Sequence, residues 1–234
     1  MNKRVEQVVT ARRRARHLFL LISLVVLFLV SPFIMTHRFG VVVLNIVGAA
    51  VLLSGTFALS ERRVLLVIAI CLVVIAISIN LSLIVFPAGW LVQVSYISMF
   101  LLLSLFSINI LLNVLRSERV TADKIFAAIC VYLLVAYAWT FAYAIVESNE
   151  PGSFSGLEMA GTSDRIALVM EMRYFSFVTL TTVGYGDISP HSPVARTFAT
   201  LEAVMGQIYL TVLVARLVGL HIANSTGPPE GRRD

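Results

Sequence analysis

The chain contains one stretch, residues 181–187 with the sequence T-T-V-G-Y-G-D, whose residue types suit the binding of a dehydrated cation. Backbone carbonyls arranged in rings can replace the hydration shell of a potassium ion. Gly184 and Gly186 lack a Cβ atom, so the backbone can adopt the angles that turn successive carbonyls towards one axis. Thr182 can add a ring of hydroxyl oxygens at one end of such a site. The stretch is therefore a candidate cation site built from the main chain.

The sequence around this stretch extends the pattern. The residues YFSFVTLTTVGYGDISP, from Tyr174 to Pro190, lie between two apolar runs. With these runs, the segment resembles the pore module of the tetrameric potassium channels, whose selectivity filter reads T-V-G-Y-G. An ordinary glycine-rich turn would explain G-Y-G alone, but it does not explain five filter residues in register between helices. Val183 and Tyr185 are then expected to turn outwards, where packing would hold the ring open.

The resemblance implies roles for the residues in and near the filter. The filter would consist of Thr182, Val183, Gly184, Tyr185 and Gly186, with potassium coordinated at the first four. The filter would be supported by Thr181, Asp187, Tyr174, Phe175 and Val178. Tyr174 and Phe175 occupy positions that are often paired tryptophans in the family, and would form part of an aromatic cuff behind the filter. Val178 stands where some bacterial members carry a glutamate that pairs with the aspartate, so Asp187 is expected to have another partner.

The composition places the chain among membrane proteins. Hydrophobic residues make up 59% of its 234 residues and charged residues 13%, against about 25% charged residues in soluble domains. Cys71 and Cys130 lie inside apolar runs and are predicted to be buried, unpaired thiols. The net charge of +5 does not indicate nucleic-acid binding, because the basic residues lie at the ends of apolar runs. They are expected to set the topology and to contact anionic lipid at the cytoplasmic face.

Six apolar runs are long enough to cross a membrane, which takes about 20 residues. They lie near residues 17–36, 41–60, 64–86, 90–115, 125–147 and 194–222. The predicted fold is an all-α membrane protein with six transmembrane helices, a re-entrant pore helix near residues 167–181 and a filter loop. The predicted divisions are a basic N-terminus (1–16), a four-helix peripheral domain (17–115), a linker (116–124), a pore domain (125–222) and a tail (223–234).

The basic residues predict the orientation of the chain. With both termini in the cytoplasm, fourteen of the 18 Lys and Arg residues lie on the cytoplasmic side, as the positive-inside rule requires. The first run is too long for the apolar part of a cleaved signal peptide, so none is expected. The protein is predicted to be multi-pass in the plasma membrane, or in the bacterial inner membrane if it is prokaryotic. The tail is expected to be too short for a nucleotide- or calcium-binding regulatory domain.

The fourth run carries no charged residue before Arg116 at its cytoplasmic end. In voltage-gated members of the resembled family, the fourth helix has arginines at every third position. One charge crossing the membrane contributes about 2.3 kcal/mol per 100 mV, and steep gating needs about 3–4 charges per subunit. Gating by an arginine-rich voltage sensor is therefore not predicted. The serines of this run, among them Ser98 and Ser107, are expected to hydrogen-bond between helices.

The fifth run is predicted to be the outer helix of the pore domain. Thr121 is a candidate N-cap for this helix. Its aromatic residues suit either an interfacial belt or packing around the filter, and they are Tyr137, Trp139, Phe141 and Tyr143. The segment that follows, residues 147–165, is rich in Gly, Ser and Pro and is predicted to be an exposed loop. Its acidic residues, Glu147 among them, would be solvated or would concentrate cations at the pore mouth.

The sixth run is predicted to be the inner helix. Gly206 suits either a hinge or a close contact with a neighbouring helix, and the sequence supports both equally. One stripe of this helix would line the central cavity with Gln207, Leu210, Val214 and Val218. Arg216 lies nine residues after Gln207, on nearly the opposite face. It is expected to snorkel to the cytoplasmic surface or to pair with Glu118 or Asp123, which would couple the linker to the gate.

These features together predict passive, potassium-selective conduction by a homotetramer, because one filter loop per chain cannot close a ring. Neither an enzyme activity nor a cofactor is predicted, and potassium is the permeant ion. Two other classes of protein are less consistent with the sequence. A potassium transporter would repeat the helix–loop–helix unit four times in one chain, whereas this chain has the unit once. A membrane subunit that binds partners without conducting would not need an intact filter.

Overall fold

The computed structural model describes residues 17–30, 48, 63–85, 88–117, 121–157 and 165–225 of the chain. This part of the chain is mostly helical. The elements are α1 (His17–Val30), α2 (Arg63–Val85), α3 (Gly89–Leu115), α4 (Ala122–Asn149), β1 (Phe154–Ser155), α5 (Arg165–Leu180), β2 (Ser189–Pro190) and α6 (Pro193–Ser225). The re-entrant helix expected near residues 167–181 corresponds to α5.

The apolar runs and the helices agree to within a few residues. The third, fourth, fifth and sixth runs correspond to α2, α3, α4 and α6, and α1 covers the start of the first run. The second run, 41–60, lies outside the described residues apart from residue 48. Three helices are long and apolar enough to cross a membrane: α3, α4, and α6 over Pro193–Arg216. The described part is therefore that of an all-α membrane protein, and six spans stay a prediction.

One hydrophobic cluster joins α1 and α3 to α4. Leu24, Phe106 and Leu134 are almost completely buried in it. The hydroxyl of Tyr137 on α4 donates a hydrogen bond to the carbonyl oxygen of Leu24 at 3.2 Å. Packing between membrane helices acts mainly through van der Waals contact and through hydrogen bonds of this kind. The helices that precede the pore region are thus attached to its outer helix, α4.

The prediction that the serines of α3 bond between helices is wrong for Ser98 and Ser107. Their hydroxyls donate to carbonyl oxygens of their own helix, those of Ser95 at 2.9 Å and Leu103 at 2.8 Å. In an apolar surrounding, the carbonyl three or four residues earlier is the nearest acceptor for a serine on a helix. These serines therefore satisfy their own polar groups and leave the helix surface free for packing.

The start of α4 is fixed by several polar contacts. The side chain of Thr121 accepts a hydrogen bond from the backbone N–H of Lys124 at 3.4 Å, which confirms the predicted N-cap. The ammonium group of Lys124 donates to the carbonyl oxygen of Asn113 at 3.0 Å, which ties α4 back to the end of α3. Asp123 lies in the first turn, where a negative charge stabilises the helix dipole. Its carboxylate oxygens both lie 3.0 Å from Nδ1 of His17 on α1.

The aromatic residues of α4 pack inside the molecule. Tyr143 is completely buried and its ring meets those of Phe154 and Phe175 edge-on, at centroid distances of 5.4 and 5.0 Å. Tyr137 is 5% exposed. Of the two roles open for the aromatic group, packing around the filter region is the one that these two tyrosines adopt.

Residues 150–157, which follow α4, are more ordered than the predicted exposed loop. Its strand β1 pairs antiparallel with β2, with Phe154 opposite Pro190 and Ser155 opposite Ser189. Two-residue strands show no alternation of apolar and polar residues, so the sequence could not indicate them. Glu147, expected to be solvated, is 9% exposed and accepts the backbone N–H groups of Gly152 at 2.8 Å and Phe154 at 3.0 Å. This carboxylate anchors the turn that leads into β1.

Replacing Glu147 by alanine is expected to loosen this turn. A hydrogen bond to a charged group contributes about 1.5–3 kcal/mol, so the amides of Gly152 and Phe154 should exchange with solvent about 10–100-fold faster. Hydrogen exchange followed by mass spectrometry measures this. Glu150→Ala is the matched control, because the side chain of Glu150 is exposed. Equal protection of residues 152–154 in both variants would contradict the anchoring role of Glu147.

Candidate functional site

The backbone of the T-V-G-Y-G stretch alternates in handedness. Thr182, Gly184 and Gly186 have φ values of 58°, 57° and 82°, whereas Val183 and Tyr185 are not among the residues with positive φ. When left- and right-handed residues alternate, successive N–H groups point to one side of the chain and successive carbonyl groups to the other. Among the described residues, Thr182 is the one non-glycine residue with a positive φ, and this left-handed conformation costs about 1–2 kcal/mol. Local strain of this kind is typical of functional sites.

The hydrogen bonds of the stretch use its N–H groups and leave its carbonyl groups free. The amide of Thr182 donates to the carbonyl oxygen of Thr179 at 3.0 Å. The amides of Val183 and Gly184 both donate to the carbonyl oxygen of Val178, at 3.0 and 3.4 Å. Among the described residues, none donates to the carbonyl oxygens of residues 182–186. The end of α5 thus anchors the inner part of the stretch, and a row of carbonyl oxygens remains available for a cation.

The outer end of the stretch is held by Tyr174 on α5. Its hydroxyl donates a hydrogen bond of 2.7 Å to the carboxylate of Asp187. Its ring stacks on that of Tyr185 with a centroid distance of 6.5 Å and an interplanar angle of 3°. Tyr174 is therefore the partner that Asp187 was expected to need in the absence of an acid at Val178. The hydrogen bond from Tyr174 lowers the pKa of the Asp187 carboxyl group.

Within the chain, Phe175 and Thr181 contact residues outside the filter stretch. Phe175 is 5% exposed and its ring contacts Phe154 and Tyr143, so it packs towards α4 and not beside Tyr174. Neighbouring residues on a helix point about 100° apart, which explains why only one member of the Tyr-Phe pair reaches the filter. Thr181 is exposed, and its hydroxyl donates to the carbonyl oxygen of Phe177 at 2.7 Å.

Replacing Tyr174 by phenylalanine is expected to make the outer mouth more sensitive to acid. The pKa of the Asp187 carboxyl group lies below that of an ordinary aspartate. The stabilisation from the hydrogen bond to Tyr174 is therefore fully present at any pH above the ordinary pKa, and it is lost as the pH falls through the lowered pKa. In Tyr174→Phe, the acid-side midpoint of any pH-dependent current should therefore move to higher pH. The measurement is current against external pH. Tyr137→Phe, which removes a hydroxyl that bonds to Leu24 and not to Asp187, should behave as the unmodified protein. Identical midpoints in all three proteins would contradict the role of Tyr174.

The loop before α5 also touches the outer end of the stretch. Gly156 has a φ of +84°, and a Cβ atom placed on it would overlap the carbonyl oxygen of Asp187 and lie 2.9 Å from its carbonyl carbon. The pairing of β1 with β2 brings Gly156 to this position, directly beside the residues that follow the filter. The position of Asp187 is thus defined from two sides, by α5 and by this loop.

The inner helix α6 approaches the inner end of the stretch at Gly206 and Gln207. A Cβ atom on Gly206 would overlap the carbonyl oxygen of Leu180 and lie 3.0 Å from its Cδ1 atom. Of the two roles left open for Gly206, the close contact is the one that this geometry supports. The amide nitrogen of Gln207 donates to the hydroxyl of Thr182 at 3.3 Å. The proposed cavity stripe is exposed along the single chain, and its members are Gln207, Leu210, Val214 and Val218.

Arg216 contacts the linker, but not through an acid. Its guanidinium group donates to the carbonyl oxygen of Ser117 at 2.7 Å. The predicted pair with Asp123 is wrong, because the carboxylate of Asp123 lies against the ring of His17. Glu118 lies outside the described residues. The contact between α6 and the end of α3 therefore exists with a backbone partner.

Glu202 on α6 is a buried acid that the sequence patterns did not single out. It is completely buried, and its carboxylate contacts the hydroxyls of Tyr143 and Ser176. An acidic residue inside an apolar run is itself an indication of function in a membrane protein, and this could have identified Glu202 from the sequence.

Comparison with known proteins places this site in a class. A family model described as "Ion channel" matches residues 124–221, which include nearly all of α4 and α6 and the filter stretch between them. Protein LctB of Bacillus caldotenax is 31% identical over 106 residues, which are 45% of this chain and 78% of that protein. The inward rectifier potassium channel Kirbac3.1 of Paramagnetospirillum magnetotacticum is 32% identical over 98 residues, 42% of this chain and 27% of that protein. The voltage-gated potassium channel of Aeropyrum pernix is 30% identical over 114 residues, 49% of this chain and 34% of that protein.

These matches define an ion channel of the membrane. The chain belongs to the pore-loop potassium channel family. No solved structure matches it. The family match begins at residue 124, so it covers the region of α4, α5 and α6 in which the filter stretch lies.

Proposed function

We propose that the protein is a potassium-selective channel that conducts potassium passively through a filter formed by residues 182–186 of four copies. The observation that carries this proposal is the alternating backbone of the stretch with its row of unpaired carbonyl oxygens. Potassium would be coordinated at Thr182, Val183, Gly184 and Tyr185. The ion is the cargo of the pore, and no other cofactor enters the proposal.

Assembly as a homotetramer follows from the filter and is supported by the surface of α6. One chain supplies one side of a ring of carbonyl groups, so a closed ring needs further copies around an axis. Apolar side chains of α6 are 45–58% exposed in the single chain, and they include Leu201, Val204, Met205 and Ile208. Tyr185 is 72% exposed. Packing between copies would cover these surfaces.

The rest of the chain is assigned around this pore. Residues 17–115 would form a peripheral membrane domain, residues 116–124 the linker and residues 125–222 the pore domain, with both termini in the cytoplasm. This arrangement places the channel in the plasma membrane, or in the bacterial inner membrane of a prokaryote. The basic cytoplasmic residues would contact anionic lipid.

The voltage dependence of opening is expected to be weak. The helix α3, which corresponds to the fourth apolar run, contains no charged residue between Gly89 and Leu115. Steep gating needs about 3–4 charges per subunit within the membrane field. Single-channel recording from −100 to +100 mV should therefore give a gating charge below about one per subunit. A gating charge of three or more would contradict this proposal and would indicate a sensor in another part of the chain.

Assembly and conduction can be tested together on the purified protein. Its mass in detergent should be four times the chain mass of 25.7 kDa, and proteoliposomes should release potassium when a gradient is applied. Gly184→Ala, which places a Cβ atom at a φ of +57°, should keep the mass and lose selective flux. A monomer or dimer that is folded would contradict the tetramer. A tetramer without any flux would favour a membrane subunit that does not conduct.

A further inference from the structure

Glu202 is a buried acid on the inner helix, behind the filter stretch. Its side chain has no exposed surface. The hydroxyl of Tyr143 on α4 donates to one carboxylate oxygen, and the hydroxyl of Ser176 on α5 lies 2.5 Å from the other. The residue thus joins the outer helix, the pore helix and the inner helix at one point.

The partners of this carboxyl group are the hydroxyls of Tyr143 and Ser176, and not a basic side chain. Among the described residues, no Lys, Arg or His forms an ion pair with Glu202. Burying a carboxyl group is costly unless its charge has a partner, whereas an apolar side chain would pack at this place without that cost. A cation held nearby by the main chain would be such a partner.

The inner helix α6 and the pore helix α5 lie side by side, and they contact each other at successive positions from Glu202 to the filter. Glu202 contacts Ser176, and Gly206, four residues later, packs on Leu180, four residues after Ser176. Gln207 then bonds Thr182, the first filter residue. Glu202 and Gln207 are five residues apart on α6, which is a rise of about 7.5 Å, so the carboxylate lies roughly 10 Å from the entry of the filter. The C-terminal end of α5, with its negative helix dipole, faces the same region.

We propose that Glu202 is a positioning residue for the filter, whose buried carboxylate stabilises potassium in the filter from behind the pore helix. This inference rests on the proposed function as a potassium channel. The carboxylate acts at a distance and does not touch the ion. Four copies around the axis would place four such carboxylates around the same ions.

The hydrogen-bond donors and acceptors around Glu202 indicate a variant, Glu202→Gln, that removes the charge of the carboxylate and keeps the size of the side chain. The hydroxyl of Ser176 has one hydrogen and two acceptors, Glu202 at 2.5 Å and the carbonyl oxygen of Ala136 at 2.8 Å. In Glu202→Gln, the amide oxygen accepts from Tyr143 and the NH₂ group donates to Ser176. Ser176 then donates to Ala136. Three of the four polar hydrogens keep an acceptor and the second amide hydrogen has none, so this variant keeps the shape and most of the contacts of the site.

The test compares the potassium needed to stabilise the tetramer. The thermal midpoint of the purified protein is measured against potassium concentration at constant ionic strength, for the unmodified protein and for Glu202→Gln. The variant should need about tenfold more potassium for the same rise in thermal midpoint, as expected for a unit charge about 10 Å away at an effective dielectric constant of about 20. Because this stabilisation rises with the logarithm of the potassium concentration, the two curves should run parallel at high potassium, with that of the variant displaced to about tenfold higher potassium. Sodium in place of potassium is the control for ion specificity.

Each outcome decides between charge and packing. Equal potassium dependence of the two proteins would overturn the inference and leave the channel proposal intact, whereas an unmodified protein indifferent to potassium would count against the proposed function itself. If Glu202→Gln does not assemble, Glu202→Asp, which keeps the charge on a shorter side chain, is measured. Assembly with near-normal potassium dependence in Glu202→Asp would support the inference. If neither variant assembles, the inference is overturned, because the shape of the side chain and not its charge would then determine assembly.

Discussion

Replacing Gly156 by alanine is expected to reduce potassium current by more than about tenfold. The added Cβ atom would overlap the carbonyl oxygen of Asp187 and crowd its carbonyl carbon. Both are main-chain atoms, so the overlap is relieved only by moving the backbone that follows the filter. The φ of +84° adds the cost of a left-handed conformation for a residue with a side chain. The change therefore acts on the outer end of the filter from a loop that precedes α5.

Gly152→Ala is the matched control for this prediction. Gly152 lies in the same loop and has a φ of +89°, but a Cβ atom on it would meet no atom within 4 Å. It should therefore carry only the backbone strain and keep most of the current. Bilayer currents of the two variants, each normalised to the amount of assembled tetramer, make the comparison. Equal losses in both would mean that loop strain matters and that the contact with Asp187 does not.

Replacing Gly206 by alanine is expected to change ion selectivity. Alanine favours a helix over glycine by about 1 kcal/mol, so the change alone should stabilise α6. The Cβ atom would, however, overlap the carbonyl oxygen of Leu180 at the end of the pore helix. Val178 and Leu180 lead directly into the filter, and carbonyl oxygens at the end of the pore helix accept the N–H groups of residues 182–184. A shift of the pore helix at Leu180 would therefore move the backbone of the filter. The potassium-to-sodium permeability ratio should fall by about tenfold or more.

The same substitution separates close packing from a hinge. A hinge at Gly206 predicts that alanine lowers the probability of opening and leaves the selectivity of the open pore unchanged. The packing contact predicts a change in selectivity whatever the probability of opening. Gly219→Ala is the control on the same helix, because a Cβ atom on Gly219 would meet no atom within 4 Å. Unchanged selectivity in Gly206→Ala would contradict the packing role.

The described helices and the backbone of residues 182–186 were predictable from the sequence because their determinants are local. A membrane helix needs one continuous apolar run, and the filter needs five consecutive residues whose main chain does the chemistry. The N-cap at Thr121 depends on residues only three apart. For such features, neighbouring residues carry the information, and the structure followed the sequence closely.

The features that escaped the sequence depend on distant residues. The contacts of Glu202 join residues 59 and 26 positions apart, and the bond between Ser155 and Ser189 spans 34 positions. The buried role of Glu147 was hidden because its partners are backbone N–H groups of a turn, which no residue type reveals. The contacts of Phe175 with Tyr143 and Phe154 were hidden because a pair of adjacent aromatic residues does not specify which neighbour each of them packs against. In each case the helix packing, and not the local pattern, selects the partner.

The filter is supported from several sides by unlike chemistry. A tyrosine holds the outer carboxylate of Asp187, a glycine loop backs the same residue, and an amide of Gln207 reaches the inner threonine. In this chain the hydrogen bond from Tyr174 to Asp187 replaces the contact that an acid at the position of Val178 would make. Support of the filter is therefore expected to depend on Tyr174 and Glu202 and not on a pair of acids.

The measurement that tests the central claim most directly is the reversal potential of purified protein in a planar bilayer. Potassium is placed on one side of the bilayer and sodium on the other, at equal concentrations. A potassium-selective filter should shift the reversal potential by more than about 100 mV, since each tenfold preference contributes about 59 mV. Gly184→Ala, with a side chain forced to a φ of +57°, should bring it towards zero. A reversal potential near zero for the unmodified protein would contradict potassium selectivity and with it the central claim.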